Sequence, residues 1–264
     1  MSAPVSAWEG VTVGAEGRVI KLELRSKSLS GVVPAELGSL TALKVLDLRW
    51  NQLTSVPAEL GNLAALEVST LNGNRLTSVP ADLGRLTALK TLDLGKNQLS
   101  SAPAALGGLT ALEVLHLYRN QLTSVPAEIG KLTALKVLDL NRNKLMSMPA
   151  ELGWLTGLTR SVLTGNQLTS VPAELAGLAA LEVLDLGVNQ LTSVPAELGR
   201  LTALEVLHLY GNQLTSVPKE LGNLEALKSL EIGGNPDLAA LPDEVEQLST
   251  THGSICFIHI LVLV

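Results

Sequence analysis

The sequence predicts an α/β solenoid, a curved horseshoe with parallel strands on its concave face and short helical turns on its convex side. Three observations carry that expectation. One template recurs at a step of 23 residues, leucine fills the same slots in each copy, and aromatics are only 2% of a 264-residue chain that is 46% apolar. An aliphatic core of this kind suits a repeat that sets one residue type into one slot many times.

From Leu43 the chain reads LKVLDLRWNQLTSVPAELGNLAA, and the template restarts at Leu66, Leu89, Leu112, Leu135, Leu158, Leu181, Leu204 and Leu227. An earlier unit, one residue longer, begins at Val19. The organisation expected is a cap over 1–18, ten units over 19–249, and an apolar tail over 250–264 that is a cap strand or a truncated end.

Each half of the template has a physical reading. In L-x-x-L-x-L a polar residue separates two leucines, so a short strand turns Leu46 and Leu48 inward and Asp47 outward. Strands of successive units then stack in parallel, about 4.8 Å apart. Asn51 and its equivalents Asn74, Asn97, Asn120, Asn143, Asn166, Asn189, Asn212 and Asn235 follow the strands, where a side-chain amide can satisfy backbone groups at the turn. The S-V-P-A-E-L-G half suits one helical turn, with proline in the first turn, glutamate near the positive end and glycine closing it. Strands are narrower than helical turns, so stacking curves the array.

This template resembles the leucine-rich-repeat superfamily, and its L-T-S-V-P-A-E-L-G half is most similar to the intracellular Ras-group-related and Scribble-type repeats. Residues 8–40, from WEGVTVGAEG onward, resemble a plant receptor-type N-terminal cap lacking its cysteines, with Val13 at a cysteine position. The resemblance implies a protein-binding platform without catalytic residues. By resemblance alone, a small GTPase or a kinase is a partner class.

Composition narrows the classes further. A formal charge of −6 argues against nucleic acid as partner. Cys256 is the single cysteine, so no intrachain disulfide can form. The N-terminus lacks a secretory pattern, no glycosylation sequon occurs, and no apolar run reaches the roughly 18–20 residues of a membrane span. A cytoplasmic location follows as the expectation.

Because the template is structural, function is expected where units differ on the concave face. Between the strand leucines the residues run Glu23, Asp47, Thr70, Asp93, His116, Asp139, Val162, Asp185, His208, Glu231. Two residues on they run Arg25, Arg49, Asn72, Gly95, Tyr118, Asn141, Thr164, Gly187, Tyr210, Gly233. Trp50, Arg119 and Arg142 stand in the next column. LEVLHLY occurs at 112–118 and again at 204–210, four units on, as expected if a four-unit block was duplicated.

Four rungs separate His116 from His208 by about 19 Å, too far to share a metal ion. No nucleophile elbow or phosphate-cradling loop is present. No catalysis, cofactor or metal is therefore expected. The candidate partner-binding residues are Arg49, Trp50, Asp93, His116, Tyr118, Arg119, Asp139, Arg142, Asp185, His208 and Tyr210. Tyrosine, tryptophan and arginine dominate interface energetics, and Gly95 and Gly187 are expected to leave room for a partner beside them. Flanking carboxylates should raise both histidines above the ordinary value of about 6.5. The expected function is a non-catalytic protein-interaction module or scaffold, signalling-related, that binds another protein through its concave face. The alternative is a ligand-recognition fragment of an immune or receptor-type protein.

Ser69 and Ser161, also four units apart, replace an inward leucine. Local packing irregularity is one reading, and a polar pocket beneath the sheet is the other.

Overall fold

The computed structural model describes residues 8–248 and, as backbone, 257–259. Its first strands are β1 (Val11–Val13), β2 (Val19–Glu23), β3 (Ser30–Val32), β4 (Val45–Asp47) and β5 (Gln52–Ser55). One strand per unit follows: β6 (Val68–Thr70), β7 (Thr91–Asp93), β8 (Val114–His116), β9 (Val137–Asp139) and β10 (Arg160–Val162). The series closes with β11 (Val183–Asp185), β12 (Val206–His208), β13 (Ser229–Glu231) and β14 (Phe257–His259). All except β3 and β5 form one sheet in chain order, parallel from β2 onward.

Strand register fixes the concave face. Val114, Leu115 and His116 stand level with Val137, Leu138 and Asp139, and every neighbouring pair from β4 to β13 keeps this 23-residue offset. The inward leucines are sealed: Leu46, Leu115, Leu117, Leu184, Leu207 and Leu209 are all 0% exposed. Burying each contributes about 1.5–3 kcal/mol, which makes the stacking of units rather than any single unit the stable entity.

The asparagine ladder forms as expected. Asn120 donates through Nδ2 to the carbonyls of Leu94 and Leu117, both at 3.0 Å, and its Oδ1 accepts the Leu99 N–H at 3.0 Å. Asn97, Asn143, Asn166, Asn189 and Asn212 make the same three contacts. Each amide thus links one unit to the next by satisfying buried backbone groups.

Two details of the convex half differ from the sequence reading. Its turns are single 3-10 turns, such as Ala58–Asn62 and Ala127–Lys131, and proline precedes each one in extended conformation instead of standing inside it. The turn glycine does not close the turn through a left-handed backbone. A Cβ on Gly61 would fall 2.3 Å from the Asp82 carbonyl oxygen, and one on Gly130 would fall 2.4 Å from that of Glu151. Glycine is there because adjacent turns approach too closely for a side chain.

The first strand of the array is covered. Strand β1 runs antiparallel to β2, pairing Val11 with Leu22 and Thr12 with Lys21, and the Gly10 carbonyl accepts the Glu23 N–H at 2.7 Å. The pairing closes an edge that would otherwise be open to other chains. A small second sheet, β3 parallel to β5, links the first two units on the loop side and was not expected. In the expected tail, the β14 backbone pairs in parallel with β13, setting Ile258 level with Leu230. Residues 1–7 of the expected cap, and 249–256 and 260–264, lie outside the described residues.

Candidate functional site

The sheet brings the candidate residues together as two copies of one cluster. In the first, Asp93 on β7 and His116 on β8 are register partners, and His116 Nδ1 lies 3.9 Å from Asp93 Oδ2. Asp93 Oδ1 accepts the Gly95 N–H at 2.9 Å, so the carboxylate is held by its own strand while facing the ring. Tyr118 stands two residues beyond His116, its ring edge-on at a centroid distance of 6.0 Å. In the second copy His208 Nδ1 lies 3.7 Å from Asp185 Oδ2, and Asp185 Oδ1 accepts the Gly187 N–H at 3.0 Å. The His208 and Tyr210 rings are again 6.0 Å apart. Glu231 adds a carboxylate 3.7 Å from His208 Nε2, which the first copy lacks.

The glycines do not leave room for a partner. The tyrosines fill it. A Cβ on Gly95 would sit 2.3 Å from the Tyr118 ring, and one on Gly187 would sit 2.4 Å from that of Tyr210. Each ring lies back across one rung, and its hydroxyl reaches the next. Asn72 Nδ2 donates to the Tyr118 hydroxyl at 3.5 Å, and Thr164 Oγ1 lies 3.3 Å from the Tyr210 hydroxyl. Asn72 Oδ1 is left without a partner, the one such side-chain atom fully sealed from solvent among the described residues. Two aromatic side chains are thereby fixed in place by their neighbours.

The electrostatics follow from these neighbours. The Asp93 carboxylate facing its ring raises His116 above its ordinary value; burial opposes this, and Asp139 adds to it. Asp185 does the same for His208, burial again opposing, with Glu231 reinforcing and Arg160 counteracting. Burial pushes the Tyr118 phenol up. Among the described residues no group of three or more His, Cys, Asp or Glu side chains is arranged to hold a metal ion.

Among the other candidates, Asp139 adjoins the first cluster as the register partner of His116. Asp139 is engaged by the Asn141 N–H and side-chain amide at 3.0 and 2.6 Å. Arg49 pairs with Asp47 at 3.0 Å between Nε and Oδ2. Trp50 is 48% exposed, lies over Gly73, and carries the Lys96 ammonium 4.4 Å from its ring centroid. Arg119 and Arg142 are exposed at the rim, beyond the C-terminal ends of the strands. Both adopt left-handed backbone, as do Trp50, Lys96 and Val188, where the equivalent positions of other units hold Gly73, Gly165, Gly211 and Gly234.

Two concave-side features were missed in the sequence. Val114, Val137, Val183 and Val206 form a half-buried column on the same face as the histidines, legible from period-two alternation alone. At the strands' N-terminal ends runs a ladder of ion pairs: Lys44 and Lys90 to Glu67, Lys136 to Glu113, and Lys228 to Glu205. Alternating sign at the 23-residue step from Lys44 to Lys136 was its signal.

A family model for a leucine-rich repeat region matches residues 17–124 and 114–214. The chain belongs to the leucine-rich-repeat family. No curated protein sequence matches this leucine-rich-repeat chain. Among solved structures it is similar to a leucine-rich-repeat protein of Leptospira interrogans, at 37% identity and TM-score 0.77, covering 87% of this chain and 64% of that one. It is also similar to the ectodomain of the Arabidopsis thaliana membrane receptor kinase GASSHO1/SCHENGEN3, solved with CASPARIAN STRIP INTEGRITY FACTOR 2. That match has 36% identity and TM-score 0.84, covering 92% of this chain and 30% of that one. A third is the Arabidopsis receptor kinase HAESA, solved with the peptide hormone IDA and the co-receptor SERK1, at 31% identity and TM-score 0.76 over 88% of this chain and 41% of that one. The leucine-rich-repeat chain therefore spans less than two thirds of the length of each of these three.

Proposed function

We propose that this leucine-rich-repeat chain is a non-catalytic recognition module that binds a protein or peptide through its concave sheet. The observation that carries the reading is the pair of pre-set tyrosines, each packed into a glycine notch beside an Asp–His pair. Aromatic anchors on a rigid surface bind at low entropic cost. The sites lie on strands whose backbone is laddered on both sides, so neither needs ordering on contact. Scaffolding in cytoplasmic signalling is the reading that the intracellular repeat pattern supports. No helix among the described residues is long and apolar enough to cross a membrane.

A specific observation favours a second reading, a ligand-recognition segment of a receptor-type protein. The parallel pair β3–β5 on the loop side accompanies the plant-like L-S-G-V-V-P stretch, and two of the similar structures are plant receptor ectodomains solved with peptide ligands. Affinity capture from native lysate, comparing wild type with Tyr118→Ala/Tyr210→Ala, tests the concave surface common to both. Loss of specific bands in the variant supports it, and an unchanged set of bands removes it.

A further inference from the structure

The rim at the C-terminal ends of the strands is basic in an otherwise acidic chain. Lys96, Arg119 and Arg142 occupy one column on three consecutive rungs, and Arg75 and Lys144 flank it two residues further along the chain. Backbone bonds run rung to rung through this column, from Lys96 N–H to the Tyr118 carbonyl at 2.7 Å and from Arg119 N–H to that of Asn141 at 2.8 Å. The backbones of the three residues are therefore stacked about 4.8 Å apart. The five rim segments 49–55, 72–78, 95–101, 118–124 and 141–147 contain no Asp or Glu.

Pairing separates this rim from the opposite one. Lys44, Lys90, Lys136 and Lys228 at the strands' N-terminal ends each have a glutamate within 3.7 Å. Among the described residues Arg75, Lys96, Arg119, Arg142 and Lys144 have no carboxylate within 4.0 Å, and Lys96 instead rests on the Trp50 ring. Three of them are also held in left-handed backbone, at φ 51° for Lys96, 51° for Arg119 and 53° for Arg142. A non-glycine residue there costs roughly 1–2 kcal/mol, and other units avoid the cost with glycine. Charge and strain converge on the same side chains.

We infer that this rim docks an extended acidic peptide segment, running along the solenoid with its Asp or Glu side chains against Arg119, Arg142 and their neighbours. The inference rests on reading the chain as a binding module and adds a second surface beside the tyrosines. An extended peptide is favoured over nucleic acid by width. Asp93 lies three residues from Lys96, about 10 Å along the strand, so a broad polyphosphate would meet the carboxylate row. A single extended chain fits alongside that row.

Fluorescence anisotropy with a labelled peptide of about a dozen alternating Glu and Ser residues tests this, beside its Lys counterpart and a single-stranded oligonucleotide of similar length. Wild type should bind the Glu peptide saturably and the Lys peptide not at all. Arg119→Glu/Arg142→Glu should weaken binding at least about tenfold, while Lys131→Glu/Lys219→Glu, an equal charge change on the convex turns, should stay within about threefold. Arg119→Gly/Arg142→Gly should raise the unfolding midpoint and still weaken binding, which separates docking from folding. Tyr118→Ala/Tyr210→Ala should bind the Glu peptide like wild type, so failure of the concave reading and failure of this one are distinguishable. Equal losses in rim and convex variants, retained binding in the glycine variant, no saturable binding by wild type, or tighter binding of the oligonucleotide would each overturn the inference.

Discussion

The Tyr118 ring lies against Gly95, one rung back along the sheet, so closely that a Cβ on that glycine would fall 2.3 Å from it. The same relationship recurs between Tyr210 and Gly187. Tyrosine position on the concave face is thus set by an absent side chain on the neighbouring strand. Gly95→Ala should displace the ring at little cost, since Gly95 is not held at positive φ and the clash is with a side chain that can swing. A stability change below about 1 kcal/mol, with weakened near-ultraviolet tyrosine dichroism, is the expected outcome. Unchanged dichroism would show that the notch does not hold the ring.

Both histidines bind their protons more tightly folded than unfolded, because Asp93 and Asp185 face them. The stability this adds is fully present below the unfolded value of about 6.5 and is lost as pH rises through the higher folded values. NMR titration should place both imidazoles above that reference. Asp93→Asn should bring His116 down and leave His208, four rungs away, where it was. A His116 at or below the reference in wild type would contradict the pairing.

Val188 is a β-branched residue at φ 50°, and it is 51% exposed. Left-handed backbone penalises its Cβ by roughly 1–2 kcal/mol, and glycine gives back about 0.5–1 kcal/mol through the unfolded chain. Val188→Gly should therefore raise stability by about 0.5–1 kcal/mol, read from the denaturant midpoint. A lower midpoint would mean that the valine makes packing contacts worth more than the strain.

Ser69 stands between Leu46 and Leu92 in register and is 4% exposed, and Ser161 occupies the same place between Leu138 and Leu184. Neither hydroxyl has a hydrogen-bond partner among the described residues, so backbone bonding does not account for either serine. Restoring leucine at both sites should stabilise the chain by about 2–5 kcal/mol per site if the space is unfilled. Denaturant unfolding of the single variants checks this. Destabilisation would show that neighbouring leucines have already closed the gap, and overpacking would be the reason.

The repeat made most of this fold legible. A side chain that recurs at the 23-residue step has the same neighbours in every unit, so the inward leucines and Asn120 could be assigned from pattern alone. What the pattern hid was contact between units. Gly130 looked like the end of a turn because glycine often ends turns, whereas its reason is the Glu151 carbonyl of the next unit. Gly95 looked like open space because the direction of the Tyr118 ring is not written in spacing. Arg119 and Arg142 were legible as binding types, but their place in an unpaired rim with Arg75, Lys96 and Lys144 depends on where carboxylates do not reach. The left-handed column was marked by glycine in only some units, so Val188 and Lys96 masked it.

Concave-face recognition is tested most directly by site-specific photo-crosslinking in native lysate. One photo-reactive residue would replace Asn141, beside Tyr118 on the next rung, and another would replace Glu174 on an exposed convex turn. Concave binding predicts discrete crosslinked species from position 141 that vanish in the Tyr118→Ala/Tyr210→Ala background, with none from position 174. Discrete species from position 174 alone, or species from position 141 that survive loss of both tyrosines, would contradict it.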